Sequence, residues 1–256
     1  MSTSTVGHSK LMNAADAVDD IPSGATLAVG GFGVCGIPHI LLTELANRNV
    51  NDLEAVSNNA GVDGRGLGLL LANGQLRRII ASYVGENKEF ARQYLEGELE
   101  VELTPQGTLA ERMRAGGSGI GAFYTRTGVG TVVADGGMPW KYDANGNVEI
   151  SSPAKETREI RGETYVLEEA IVADYALVRA AVADESGNLR FHETARNFNP
   201  LAAMSGKICI VEAEKVVPVG ELAADDIHLP GVFVHRLVKL TEEQAADKAI
   251  EKETVR

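Results

Sequence analysis

Ser23-Gly-Ala-Thr-Leu-Ala-Val-Gly-Gly-Phe-Gly-Val-Cys-Gly-Ile-Pro38 is the stretch from which the rest of the chain can be read. Ala25–Val29 is an apolar run of strand length with glycine on either side. Pro38 suits the opening turn of a helix, and Ile40, Leu41, Glu44 and Leu45 continue at helical spacing. The unit predicted is strand, glycine loop, helix. Such a loop turns tightly and can bring backbone N–H groups to an anion at the helix start without any lysine. Gly31, Gly33 and Gly36 also satisfy G-x-G-x-x-G, and Glu54 stands about where a dinucleotide fold places its ribose-binding acid. No Gly-Lys-Ser/Thr ending follows, which excludes a P-loop. Read alone, the loop leaves open a dinucleotide site, another phosphate-bearing ligand and a plain tight turn.

Outward from the loop, strands and helices alternate. Asn13–Val18 reads as a short helix ended by the turn Asp20–Gly24. Leu53–Val56 is a strand running into the loop Ser57–Gly61. Arg78–Val84 is read as a strand, Lys88–Leu95 as a helix and Val101–Leu103 as a strand. A helix over Thr108–Ala115 is expected to open on a capping box from Thr108 to Glu111. Asn145-Gly146, between Lys141-Tyr142 and Val148–Ile150, signals a type I′ hairpin. Trp140 is expected to pack over that hairpin. Further strands are read at Tyr165–Leu167, Tyr175–Ala180, Lys207–Glu212 and Arg236–Leu240, with His235 as a strand residue within Val232–Leu237. The pattern predicts one α/β domain over residues 1–240, with a mainly parallel sheet flanked by helices and a β-hairpin section, followed by a charged tail, 241–256. Ligands are then expected at the carboxyl ends of the strands.

Composition narrows the function classes. The chain has 256 residues, 44% of them hydrophobic, and a formal net charge of −12. With 24 basic against 36 acidic residues, nothing favours a nucleic-acid backbone. Met1–His8 has no apolar signal core, and the apolar run Leu67–Ala72 is too short to cross a bilayer. Neither Cys35 nor Cys209 has partners at zinc-ligand spacing, and the distant pair makes no disulfide framework. A cytoplasmic protein with no structural metal is the expectation.

The opening stretch, with its three apolar residues, Gly-Gly-Phe and Gly-x-Pro, resembles the N-terminal signature of the family I CoA-transferases. Relatives usually carry Asp or Asn where this chain has Ser23, an acid at His39 and proline at Gly121. The resemblance continues through Val56-Ser-Asn-Asn-Ala-Gly-Val62, Ser82-Tyr-Val-Gly-Glu-Asn-Lys88, Glu98–Arg112, Ala195-Arg-Asn-Phe-Asn-Pro200 and Asp226-Ile-His-Leu-Pro230. These blocks are similar to the A subunits of the enzymes that exchange CoA between succinyl-CoA and a 3-oxoacid such as acetoacetate. 3-Oxoadipate, or acetyl-CoA with acetoacetate, are alternative substrates within the family. A non-catalytic nucleotide-binding module is the reading outside it.

The resemblance implies a ping-pong reaction through a glutamyl-CoA thioester, with coenzyme A as substrate and no cofactor. It implies a B subunit as partner, commonly in an A2B2 heterotetramer. It also implies that no catalytic residue lies in this chain, because the family's Ser-Glu-Asn-Gly block is absent and belongs to the B subunit. Glu86, in Gly85-Glu-Asn-Lys88, imitates that block, but its surroundings match the A-type pattern, and an interface or helix-end charge is its expected role. By resemblance, Gly30, Gly31, Phe32, Gly33, Val34, Cys35 and Gly36 bind CoA, and Asn58, Asn59 and Gln106 line the acyl pocket. Neutral amides there could donate hydrogen bonds to carboxylates or oxyanions without quenching a nucleophilic acid.

Overall fold

Leu27 and Val29 bury themselves in one apolar cluster while Ala28, between them, joins another. Ile79 and Ile80 divide in the same way, as do Ile210 and its neighbours Cys209 and Val211. This two-residue alternation, with both faces covered, is what a parallel sheet between two helical layers requires. The computed structural model describes residues 9–85 and 87–248. In chain order the first half contains β1 (Leu11–Met12), α1 (Ala14–Val18), β2 (Thr26–Val29), α2 (His39–Ala46), β3 (Leu53–Val56), α3 (Leu67–Ala72), β4 (Leu76–Ala81), α4 (Lys88–Leu95), β5 (Glu100–Leu103) and α5 (Gln106–Gly117). Then come β6 (Ala122–Thr125), α6 (Val132–Asp135), β7 (Pro139–Tyr142), β8 (Val148–Ser151), β9 (Thr157–Ile160) and β10 (Glu163–Glu169). The last part holds β11 (Ala173–Asp184), β12 (Leu189–Arg190), α7 (Asn199–Ser205), β13 (Gly206–Val217), β14 (Arg236–Lys239) and α8 (Glu242–Ala246).

The main sheet runs β1-β14-β13-β11-β2-β3-β4-β5, with every neighbour parallel, and β12 hangs antiparallel on β11. The chain builds outward from β2 to β5, then returns to the other side of β2 and builds outward again. The order therefore reverses beside β2, and the loop Gly30–Gly36 leaves the sheet at that switch point, where open α/β sheets bind ligands. The turn before β2 is held by Ser23, whose Oγ accepts the Asn51 N–H at 3.1 Å. The expected hairpin is present as β7–β8, and a three-stranded sheet β6-β10-β9, not expected from sequence, lies beside it.

Several expectations need correction. The strand read over Arg78–Val84 ends at Ala81. The capping box at Thr108 does not form: α5 begins at Gln106 behind Pro105, and the Thr108 hydroxyl lies inside the helix, buried without a hydrogen-bond partner. The β7–β8 turn is not type I′, which needs two left-handed residues. The Asp143 carboxylate accepts the N–H groups of Asn145 and Asn147, both at 2.8 Å, and only Gly146 is left-handed, at φ +82°. Trp140 lies within β7 and takes the Arg78 guanidinium over its ring at 5.2 Å. His235 precedes β14, and its Nδ1 accepts the Cys209 N–H at 3.0 Å.

Candidate functional site

Two small hairpins stand at the carboxyl ends of β2 and β3. In the first, Phe32 and Cys35 exchange backbone hydrogen bonds of 3.0 Å around Gly33, which is left-handed at φ +59°. In the second, Val62 pairs with Arg65 around Asp63-Gly64. The hairpins nest closely, since a methyl group at Gly66 would lie 3.0 Å from the Ile37 side chain. Between them, Gly30, Gly31, Gly33, Ser57, Asn59 and Gly61 line a narrow crevice, and none of the described residues in its wall is charged.

Asn58 and Asn59 follow β3 after Ser57 and are buried. The Oδ1 of Asn58 accepts hydrogen bonds from Gln106 Nε2 at 2.8 Å and from the Ser82 hydroxyl at 2.9 Å. Two donors on one oxygen fix which way the amide points, so Nδ2 is held as a donor. Its contact to Asn59 Oδ1 is long, at 3.4 Å, and Asn59 Nδ2 reaches the Gly61 carbonyl only at 3.5 Å. Both amide N–H groups therefore have capacity for a stronger acceptor. Gln106 is the first residue of α5, so the positive end of that helix dipole adds to the same surface. Ser82, which fixes Asn58 together with Gln106, is a residue the sequence reading misses, although it opens one of the blocks that carry the resemblance.

The seven loop residues do not all face one ligand. Gly30, Gly31 and Gly33 border the crevice with Asn59. Phe32 is 45% exposed and stacks loosely on Phe198, with ring centres 6.4 Å apart. Val34 turns to a separate hollow with His39, Arg65 and Arg179. Cys35 Sγ lies 3.2 Å from the Thr194 hydroxyl, and Gly36 is buried. Glu86 falls outside the described residues.

A buried carboxylate supports this surface from below. Pro38, at the N-cap of α2, offers no capping side chain. Glu212, from β13 and fully buried, accepts the Leu41 N–H at 2.9 Å and pairs with Arg179 at 3.3 Å. Burial pushes its carboxyl up to about 7, against the opposing Arg179 charge and the helix N–H bonds. His39 is held below the usual histidine range by burial and by the Arg65 charge, which suits a neutral imidazole. Burial raises the Cys209 thiol to about 12 and leaves it an inert core residue.

The dinucleotide reading fails on geometry. Glu54 is in β3 opposite Thr26, the first residue of β2, and its carboxylate pairs with Arg77 and Arg78 at 3.3 and 3.6 Å. It therefore sits toward the amino ends of the strands, away from the glycine loop.

Residues 11–240 match the coenzyme A transferase family. The A subunit of a probable succinyl-CoA:3-ketoacid coenzyme A transferase from Mycobacterium tuberculosis is 61% identical over 95% of this chain and 97% of its own. The A subunit of a succinyl-CoA:3-ketoacid coenzyme A transferase from Xanthomonas campestris is 56% identical over 92% of this chain and 89% of its own. Among solved structures, glutaconate coenzyme A-transferase from Acidaminococcus fermentans matches with a TM-score of 0.76 at 21% identity, over 93% of this chain and 77% of that one. An Escherichia coli O157:H7 acyl-CoA transferase, solved as a thioester complex with CoA, gives 0.76 at 22% identity over 91% of this chain and 48% of that one, so this chain spans about half its length. The two structures speak to the fold, and the sequence matches go further: the chain belongs to the coenzyme A transferase family.

Proposed function

We propose that this chain is the A subunit of a CoA-transferase that moves CoA between succinyl-CoA and a 3-oxoacid, with acetoacetate the favoured acceptor. The observation that carries the reading is the hydrogen-bonded Asn58–Gln106 amide pair, next in sequence to Asn59, which borders the glycine-loop crevice at the switch point of a CoA-transferase fold. The names of its relatives support the substrate pair. The sequence has no Ser-Glu-Asn-Gly block, which supports a nucleophilic glutamate supplied by a partner of the B type. An A2B2 assembly in the cytoplasm, with no resident cofactor, completes the proposal.

In this scheme the partner's glutamate attacks the thioester carbonyl of succinyl-CoA and expels the CoA thiolate, leaving a mixed anhydride. The thiolate then attacks the glutamyl carbonyl, releasing succinate and forming a glutamyl-CoA thioester. Acetoacetate attacks that thioester, and the thiolate returns to the acetoacetyl carbonyl, regenerating the glutamate. Each addition places negative charge on a carbonyl oxygen. Asn58 Nδ2 and Asn59 Nδ2 are the donors this chain offers to it. Backbone N–H groups of the loop other than those of Gly30, Phe32 and Cys35, which the fold already uses, bind CoA, and binding energy along that long molecule can be used at the reacting carbon.

The test is acetoacetyl-CoA formation from succinyl-CoA by this chain alone and by the chain mixed with a B-type partner carrying Ser-Glu-Asn-Gly. Activity is expected only in the mixture, and borohydride should abolish it only after acyl-CoA has been added. Turnover by the isolated chain would place the nucleophile here and overturn the division of labour. Sedimentation of the mixture reads the assembly directly.

A further inference from the structure

Gly30 and Gly36, the first and last residues of the glycine loop, press against one side chain. A methyl group at Gly30 would lie 1.9 Å from Asn199 Oδ1, and one at Gly36 would lie 2.7 Å from Asn199 Nδ2. Asn199 opens α7, 163 residues beyond Gly36 in the chain, and is fully buried.

Its amide is engaged through both the oxygen and the nitrogen. β11 pairs with β2 over Tyr175–Leu177, and the ladder ends where Gly30 N–H donates to Leu177 O at 2.9 Å. The next inward donor of β11, Arg179 N–H, has lost its strand partner because β2 has become loop. Asn199 Oδ1 accepts that N–H at 3.1 Å. On the other side, Asn199 Nδ2 donates to Gly36 O and to Ala195 O, both at 3.0 Å. The preceding turn adds contacts of its own, since Asn197 Nδ2 donates to Cys35 O at 3.2 Å.

We propose that Asn199 is the positioning residue of the glycine loop: a buried amide that replaces the missing strand and clamps both loop ends, so that the segment between them is presented to CoA in one fixed shape. The chemistry demands an amide. The site needs one acceptor and two donors. Aspartate would set a second acceptor against two carbonyls, and leucine would leave the Arg179 N–H unsatisfied. This assignment rests on the proposal that the loop binds the CoA substrate.

The experiment compares wild type, Asn199→Ala and a control, Leu99→Ala, each assembled with the partner subunit. Leu99 is equally buried but lies just before β5, at the other end of the sheet from the loop. Asn199→Ala should raise the KM for succinyl-CoA about tenfold or more with kcat changed less than about threefold, the pattern of lost ground-state positioning. Amide exchange in residues 30–36 should quicken while β3 and β4 keep their protection. Leu99→Ala should lower the melting temperature and leave KM and loop exchange at wild-type values. If Asn199→Ala moves KM and loop exchange no more than Leu99→Ala does, Asn199 is merely structural and the proposal is overturned.

Gly30→Ala gives a second route if Asn199→Ala does not fold. It displaces the same side chain and should reproduce the KM increase, whereas Gly30→Ala with unchanged KM and exchange overturns the clamp. Should the wild-type assembly transfer no CoA, the proposed function falls, yet the exchange comparison on the chain itself still decides whether Asn199 holds the loop.

Discussion

Asn58 and Glu212 show how much turns on one atom. Changing Asn58 to Asp keeps the size and the acceptor that Gln106 and Ser82 use, but replaces the Nδ2 donor with a charged acceptor. Activity of the assembled transferase should fall about 100-fold in kcat, as for loss of an oxyanion donor, with little change in melting temperature. An unchanged kcat would remove Asn58 from the chemistry. Glu212 makes a pH prediction. Its carboxyl is raised from 4.5 to about 7 in the fold, so its stabilising contribution is complete below about pH 4.5 and is lost as pH rises through about 7. Glu212→Gln does not titrate. Urea unfolding should therefore show wild type losing roughly 2–3 kcal/mol relative to this variant between about pH 5 and pH 8. A pH-independent difference would contradict the raised carboxyl. The amide residues after β3 are legible in the sequence because they sit together in one loop block. Asn199 and Glu212 are not, because what they hold lies more than 150 residues earlier, and sequence spacing says nothing about a contact made by the return of the chain.

Helix α4 gives the clearest case at the level of elements. Asn87 Oδ1 caps it by accepting the Phe90 N–H at 2.9 Å, while Nδ2 donates to the buried Ala60 carbonyl at 3.0 Å. One side chain thus starts the helix and fixes the end of the Asn58–Asn59 loop. Asn87→Ala should cost roughly 2 kcal/mol, about half for the cap and half for the carbonyl left unpaired. Thermal melting should fall by about 4–8 °C for a domain of this size, and a shift under about 2 °C would show that the two bonds are not both made. The bounds of α4 and β3 agree with the sequence reading, because polar loop residues stop each abruptly. The long strands extend beyond it. β13 runs on past Glu212 to Val217 and β11 past Ala180 to Asp184. Arg179 and Glu212 look like strand ends, yet they lie buried as a mutual pair. Helix α3 shows in the sequence only as an apolar run, since Leu67, Leu70 and Leu71 are all buried and leave no polar face. Its Gly68 packs so closely that a methyl group would lie 2.0 Å from the Val62 carbonyl oxygen.

Across the whole molecule, two apolar clusters on opposite faces of one sheet supply the stability, and the site uses the line where strand order reverses. The last core residue in sequence is Leu240, which is 3% exposed. Beyond it, α8 lies on the surface and holds on through Arg65–Asp247 at 3.1 Å, Lys248–Glu214 at 2.9 Å and Arg179 Nη2 donating to Ala245 O at 3.1 Å. The two ion pairs are partly exposed, at 38% and 37% in one and 28% and 21% in the other. Pairs of that kind contribute between about 0 and 1 kcal/mol each. Arg179 keeps both Glu212 and Glu214 without the segment. Ending the chain after Leu240 should therefore leave a single cooperative unfolding transition, with stability lowered by only about 1–2 kcal/mol. It should also open the hollow beside Val34, His39 and Arg65 that Asp247 and Lys248 now close. Urea unfolding of the shortened chain checks the first point and amide exchange in α2 the second. A broad, non-cooperative transition would mean that residues 241–256 belong to the folding unit, and that the domain does not end where its buried core does.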